Sequence, residues 1–132
     1  MVVDDVKDPY PSPGPRFHEQ IDELASSLVA ACSTDWIELQ LQANLITILN
    51  ARVIYGIHIL ATNVDGRTSK VAATHAVREA LSKVKVRGET KQPDELSLRV
   101  VRPSVGDPYK CQYSYRDADD GGYVRWWDDL ES

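Results

Sequence analysis

The sequence predicts an α+β domain: an antiparallel sheet with both helices on one face, in the order α-β-β-β-α-β-β. Three observations carry that prediction. Two stretches repeat apolar residues every three or four positions, the period of a half-buried helix. Three stretches alternate apolar and polar residues, the period of a strand with one face in water, and a stretch apolar on both sides and a short polar one complete five strands. The strands that follow one another are joined by short turn-forming segments, which suit antiparallel neighbours and not crossovers.

Residues 1–15 are expected to form a disordered, proline-rich arm. Pro9, Pro11, Pro13 and Pro15 recur at alternate positions with Ser12 and Gly14 between them. Proline fixes φ and removes a donor, so neither a helix nor a central strand fits there. A single domain then spans 16–116. Its first helix carries Phe17, Ile21, Leu24 and Leu28, with Ala25, Val29 and Cys32 beside them and Glu19, Asp22, Glu23 and Ser26 opposite. Ser33-Thr34-Asp35 ends the pattern.

From Ile37 the period falls to two. Ile37, Leu39, Leu41, Ala43 and Leu45 alternate with Glu38, Gln40, Gln42 and Asn44. The phase blurs over Ile46 to Leu49, which suggests a bulge, and Asn50-Ala51 suits a hairpin turn. The next strand, Arg52 to Thr62, is apolar on both sides and is expected at the centre of the sheet. Asn63-Val64-Asp65-Gly66 reads as a turn and Arg67 to Val71 as a short polar edge strand. The second helix is bounded by Thr74 as N-cap and Gly88 as its stop, with Val77, Ala80, Leu81 and Val84 as the apolar stripe. Leu96, Leu98 and Val100 give the fourth strand. Tyr109, Cys111, Tyr113 and Tyr115 give the fifth. Leu39, Leu41, Ile57, Leu98, Ile21, Leu24 and Leu81 are expected in the core.

At 132 residues the chain is long enough to bury a core without a metal or disulfide staple. Its 42% apolar and 27% charged residues are those of an ordinary soluble protein. No apolar run spans a bilayer, and Asp4 and Asp5 follow the start at once, so the expected location is cytoplasmic, with Cys32 and Cys111 as reduced thiols. The formal charge of −5 is unevenly placed. Residues 117–132, an acidic aromatic C-terminal tail, hold six acids against the single base Arg125, which accounts for the whole excess and leaves 1–116 neutral. A neutral body with an acidic end argues against nucleic acid, whose phosphates need lysine and arginine.

No spacing points to catalysis. Walker, dinucleotide, zinc-protease, paired-cysteine and nucleophile-elbow motifs are all missing from the sequence. His18, His58 and His75 are not spaced as a metal pair. Cys32 and Cys111 fall in apolar phases, where cysteine packs as a small hydrophobe. Asp117, Asp119 and Asp120 before Gly121-Gly122 loosely resemble a calcium loop, with Gly122 and Asp128 at the sixth and twelfth places, but the closing glutamate and flanking helices are missing. The expectation is therefore no enzyme activity, no catalytic residue, no metal and no cofactor. What remains is a partner-binding set: Asp117, Asp119, Asp120, Tyr123, Trp126, Trp127, Asp128 and Asp129. Aromatic anchors ringed by carboxylates suit a basic protein surface. The polar sheet face around Glu38, Gln40 and Gln42 is the alternative surface.

Between Phe17 and Tyr115 the order of short motifs resembles the YezG-like immunity proteins of bacterial polymorphic toxin systems. The residues that carry the likeness are Cys32-Ser33-Thr34-Asp35-Trp36 after the first helix and the Asp65-Gly66 turn. Val77-Arg78-Glu79-Ala80-Leu81, Leu96-Ser97-Leu98 and Tyr113-Ser114-Tyr115 follow. The sequence departs from that family at Gln92-Pro93-Asp94-Glu95, where a Gly-Thr-Trp is usual, and its Tyr123 to Leu130 only loosely echoes the family's late acidic and basic segment. The resemblance implies a protein that neutralises a cognate toxin by binding it. The charge and the short apolar runs separately lead to the expectation of no nucleic acid and no membrane, and the chain is expected as a monomer or homodimer. The element order alone also resembles the secretion chaperone-like fold of YbjN-like proteins, which implies binding of a partner segment.

Overall fold

The computed structural model describes residues 15–86, 92–116 and 125–128. Its elements are α1 (Pro15–Ala31), β1 (Trp36–Leu49), β2 (Arg52–Asn63), β3 (Thr68–Lys70), α2 (His75–Ser82), β4 (Glu95–Val101), β5 (Lys110–Arg116) and β6 (Arg125–Asp128). All five predicted strands and both helices are present in the predicted order. A sixth strand comes from the stretch read as a tail. The sheet order is β3-β2-β1-β4-β5-β6, and every pairing is antiparallel.

One face of the sheet carries the core. Leu41 lies between Ile59 and Leu98, and Leu39 opposite Val100, which is paired in turn with Cys111. Alternation then puts Leu96, Leu98, Val100 and Tyr113 on that same face, all of them buried. Against it pack Phe17, Ile21, Leu24, Ala25 and Leu28 of α1, and Val77, Ala80 and Leu81 of α2. Both helices therefore cover one face, as the two periodicities require. Of the seven residues expected in the core, Ile57 is half-buried and the other six are buried. Phe17 wedges between Tyr113 and Tyr115, with ring centroids at 5.4 and 5.1 Å. The Tyr113 hydroxyl lies 2.6 Å from His18 Nδ1. Arg102 stacks 3.8 Å above the Trp36 ring and donates to the Trp36 and Thr34 carbonyls, which pins the α1–β1 link.

Four expectations are corrected. The helix α1 opens at Pro15, inside the stretch assigned to the arm; proline fits a first helical position because its missing donor would be unpaired there anyway. The helix α2 ends at Ser82, well before Gly88, which lies outside the described residues. Thr74 caps it as expected, accepting from the Val77 amide at 3.2 Å. Past Lys83 the chain turns so that Val84 and Val86 enter the core, while the Lys85 amide donates to Gln20 Oε1 of α1. Burial of two valines thus replaces further helical turns. The strand β2 is not central: β1 and β4 are, and among the described residues β2 has a second strand neighbour where Leu60, Ala61 and Thr62 pair with β3. Finally, Arg125–Asp128 is a strand beside β5, with Trp127 in register with Tyr113 and Trp126 with Ser114.

Candidate functional site

The helices cannot reach the whole sheet. A helix of 17 residues is about 26 Å long, whereas a strand of 14 residues runs about 46 Å. The last β4 partner of β1 is Glu95, opposite Asn44, and the Leu45 amide donates to the Asp94 carbonyl at 2.8 Å. Beyond that point β1 and β2 continue as a two-stranded hairpin with no further strand on either edge among the described residues. The register slips between Leu45 and Thr47, so Ile46 is the extra residue of the suspected bulge. Ile46 settles over Gly56, whose missing side chain makes the room: a Cβ there would lie 3.2 Å from Ile46 Cδ1. The turn Asn50-Ala51 has φ of 52° and 62°, the positive pair of a tight hairpin turn.

The consequence is apolar surface in water. Ile46 is 66% exposed, Ile48 62%, Leu49 57% and Ile54 38%. Because of the slip, Thr47 and Ile54 form one cross-strand pair and Ile48 and Val53 the next, on opposite faces of the ribbon. Both faces of the hairpin tip are thus apolar. Its root is firm: the buried Tyr55 phenol donates to the Pro93 carbonyl at 2.7 Å, and burial, with the Asp94 carboxylate nearby, pushes that phenol far above its ordinary range.

Concavities among the described residues lie on the open face, between the helices and under the hairpin. On the open face Gln40, Gln42, His58, Leu60, Ser97 and Arg99 line a shallow hollow of about 290 Å³. Beside it Arg99 Nε donates to Glu38 Oε2 at 2.9 Å, and this bond holds the Glu38 carboxyl below the usual range despite partial burial. Between the helices Glu19, Asp22, Glu23 and Glu79 line an acidic groove of about 580 Å³, with Lys83 as its base. Under the hairpin, Arg52, Val53, Arg78, Glu79 and Lys85 are among the walls of a cleft of about 490 Å³.

The residues singled out in the sequence fall differently. Trp126, Trp127 and Asp128 belong to β6, in register with Ser114, Tyr113 and Gln112. Asp117, Asp119, Asp120, Tyr123 and Asp129 lie outside the described residues. Glu38, Gln40 and Gln42 share the open face as expected, with Gln40 and Gln42 exposed. For the hairpin residues the sequence holds one signal, the blurred phase at Ile46–Leu49.

Among the described residues no three His, Cys, Asp or Glu side chains cluster as a metal site, and no helix is long and apolar enough to cross a membrane. Burial pushes the Cys32 thiol up, which lowers its thiolate fraction. No family model, no curated protein and no solved structure matches the chain.

Proposed function

We propose that this chain works by holding another protein: an immunity protein that binds and neutralises a cognate toxin domain. The observation that supports protein binding best is the overhanging hairpin. Four large apolar side chains sit on one short ribbon, each between 38% and 66% exposed. Ordered apolar surface of this kind, rimmed by polar groups, is typical of a docking site. Among the described residues no further strand pairs with the edges next to it, which leaves room for a partner strand to add. The toxin identity of the partner rests on the likeness of the motif order from Phe17 to Tyr115. The acidic stretch from Asp117, with Trp126 and Trp127, adds carboxylates and aromatic area suited to a basic toxin surface.

In this reading the chain is not an enzyme and needs no cofactor. It acts in the cytoplasm by occupancy, as a monomer or homodimer, and engages neither nucleic acid nor membrane. The test is affinity purification of the tagged chain from its native host, with the doubly substituted Ile48→Ser/Leu49→Ser protein as control. The expected result is one toxin domain in stoichiometric amount with the unaltered chain and little with the control. Recovery of an exported effector instead would transfer the proposal to a secretion chaperone-like role.

A further inference from the structure

The cleft beneath the hairpin gathers cations from separate segments of the chain. Its cations Arg52, Arg78 and Lys85 come from the hairpin tip, from α2 and from the segment after it. None of the three has a carboxylate partner within ion-pair distance among the described residues. The one acid in the wall, Glu79, already faces His75 at 3.7 Å on the same helix. Two other bases do hold carboxylates: Arg99 holds Glu38, and Arg116 holds Glu95 at 3.0 Å. Three unmatched cations around one concavity form a local positive field in a chain whose net charge is −5.

The same cleft has an apolar roof. Val53 lines it, and Ile48, its cross-strand partner on that face of the ribbon, is 62% exposed. A volume of about 490 Å³ takes a few side chains and not a folded element. From this combination we infer that the cleft between the hairpin and α2 binds a segment of the protein partner that presents acidic side chains beside an apolar one. The apolar residue packs under Ile48 and Val53. The carboxylates face Arg52, Arg78 and Lys85, where arginine offers two-point hydrogen bonding and lysine a point charge. The inference rests on the reading of the hairpin as the docking site and adds the chemistry of what docks. It also sets orientation. The acidic stretch from Asp117 suits a basic patch and this cleft an acidic one, so two contacts of opposite sign fix how the partner sits.

The test uses the full chain and a displayed library of random twelve-residue peptides, enriched on the unaltered protein. Enriched peptides are expected to combine a large apolar residue with two or more Asp or Glu. The best of them, made synthetically, should lose at least about tenfold in affinity against Arg78→Glu/Lys85→Glu, and most of that loss should return in Arg78→Lys/Lys85→Arg. It should also bind less tightly to Ile48→Ser/Leu49→Ser. Circular dichroism of each variant checks that it is folded. Enriched peptides with no acidic bias, or an affinity indifferent to the charge reversal, overturn the inference and leave the hairpin reading standing. Binding that ignores Ile48→Ser/Leu49→Ser overturns both. Enrichment of no peptide overturns the inference.

Discussion

The two ends of the β1–β2 ribbon use the same residue types for opposite ends. At the helix-covered end, Leu39, Leu41 and Ile59 are at most 2% exposed and, with Leu98 of the neighbouring β4, bind the sheet to α1 and α2. At the overhanging end, Ile46, Ile48 and Leu49 are more than half exposed. Hydrophobicity does not distinguish them; reach does. The same strand passes from core to surface where β4 stops and the helices run out. Apolar side chains are kept in water there without unfolding the ribbon, because its own hydrogen-bonded ladder continues to Leu49 and Arg52. The difference separates residues that hold the fold from residues free to hold something else.

The sharpest way to break that distinction is to truncate at both ends. Leu98→Ala, at the covered end, should cost roughly 2–5 kcal/mol, since a fully packed side chain leaves a cavity. Urea titration reads it as a lower midpoint with an unchanged slope. Leu49→Ser, at the overhanging end, should stay within about 0.5 kcal/mol of the parent in the same titration. A large loss from Leu49→Ser would mean that the tip is part of the core after all. A second comparison concerns the joints. Thr74→Ala removes the side chain that accepts from the Val77 amide and should cost about 1 kcal/mol. Its counterpart is Ala51, which holds φ of 62° with a Cβ. Ala51→Gly should relieve that strain and raise stability by a fraction of a kcal/mol, even after the added freedom of the unfolded chain is counted. A fall in stability would show that the turn geometry at Ala51 is held by something other than its own backbone.

Most of the covered end was legible in the sequence. The α1 stripe, the alternation in β1, β4 and β5, and the Thr74 cap are local patterns, and a local pattern is enough when one face is buried. The turn at Asn63 was legible for the same reason: its Oδ1 accepts from the Asp65 and Arg67 amides. Placement failed where the answer depended on lengths of different elements. Arg52 to Thr62 is apolar on both sides, which read as a central strand, yet Ile54 is apolar on the open face because it lies on the overhang. Comparing a 14-residue strand with a seven-residue neighbour would have exposed the overhang. The cleft was beyond sequence reasoning. Arg52, Arg78 and Lys85 come from separate segments with no shared motif, and only the packing of α2 beside the hairpin brings them together.

The smallest expected effect lies on the open face, and it tests whether that face contributes to the fold. The Arg99 hydrogen bond holds the Glu38 carboxyl below its ordinary range, and burial opposes it only in part. A carboxylate whose folded-state value is lowered stabilises the protein fully above the unfolded value. That contribution falls away as the pH drops through the unfolded value and then the folded one, because protonation removes the charge that Arg99 binds. The pair is partly exposed, with side-chain exposures of 45% for Arg99 and 27% for Glu38, so water screens it and its worth is below about 1 kcal/mol. Glu38→Gln should therefore lower stability slightly at pH 7, and the loss should shrink as the pH falls toward 3. High salt should shrink the difference at pH 7. The measurement is urea unfolding of parent and variant at both pH values. A loss that persists undiminished at pH 3 would mean that Glu38 acts through packing against its neighbours in the sheet. The open face would then join the covered face as part of what holds the fold, and the division of labour would lie wholly between the sheet and the hairpin tip.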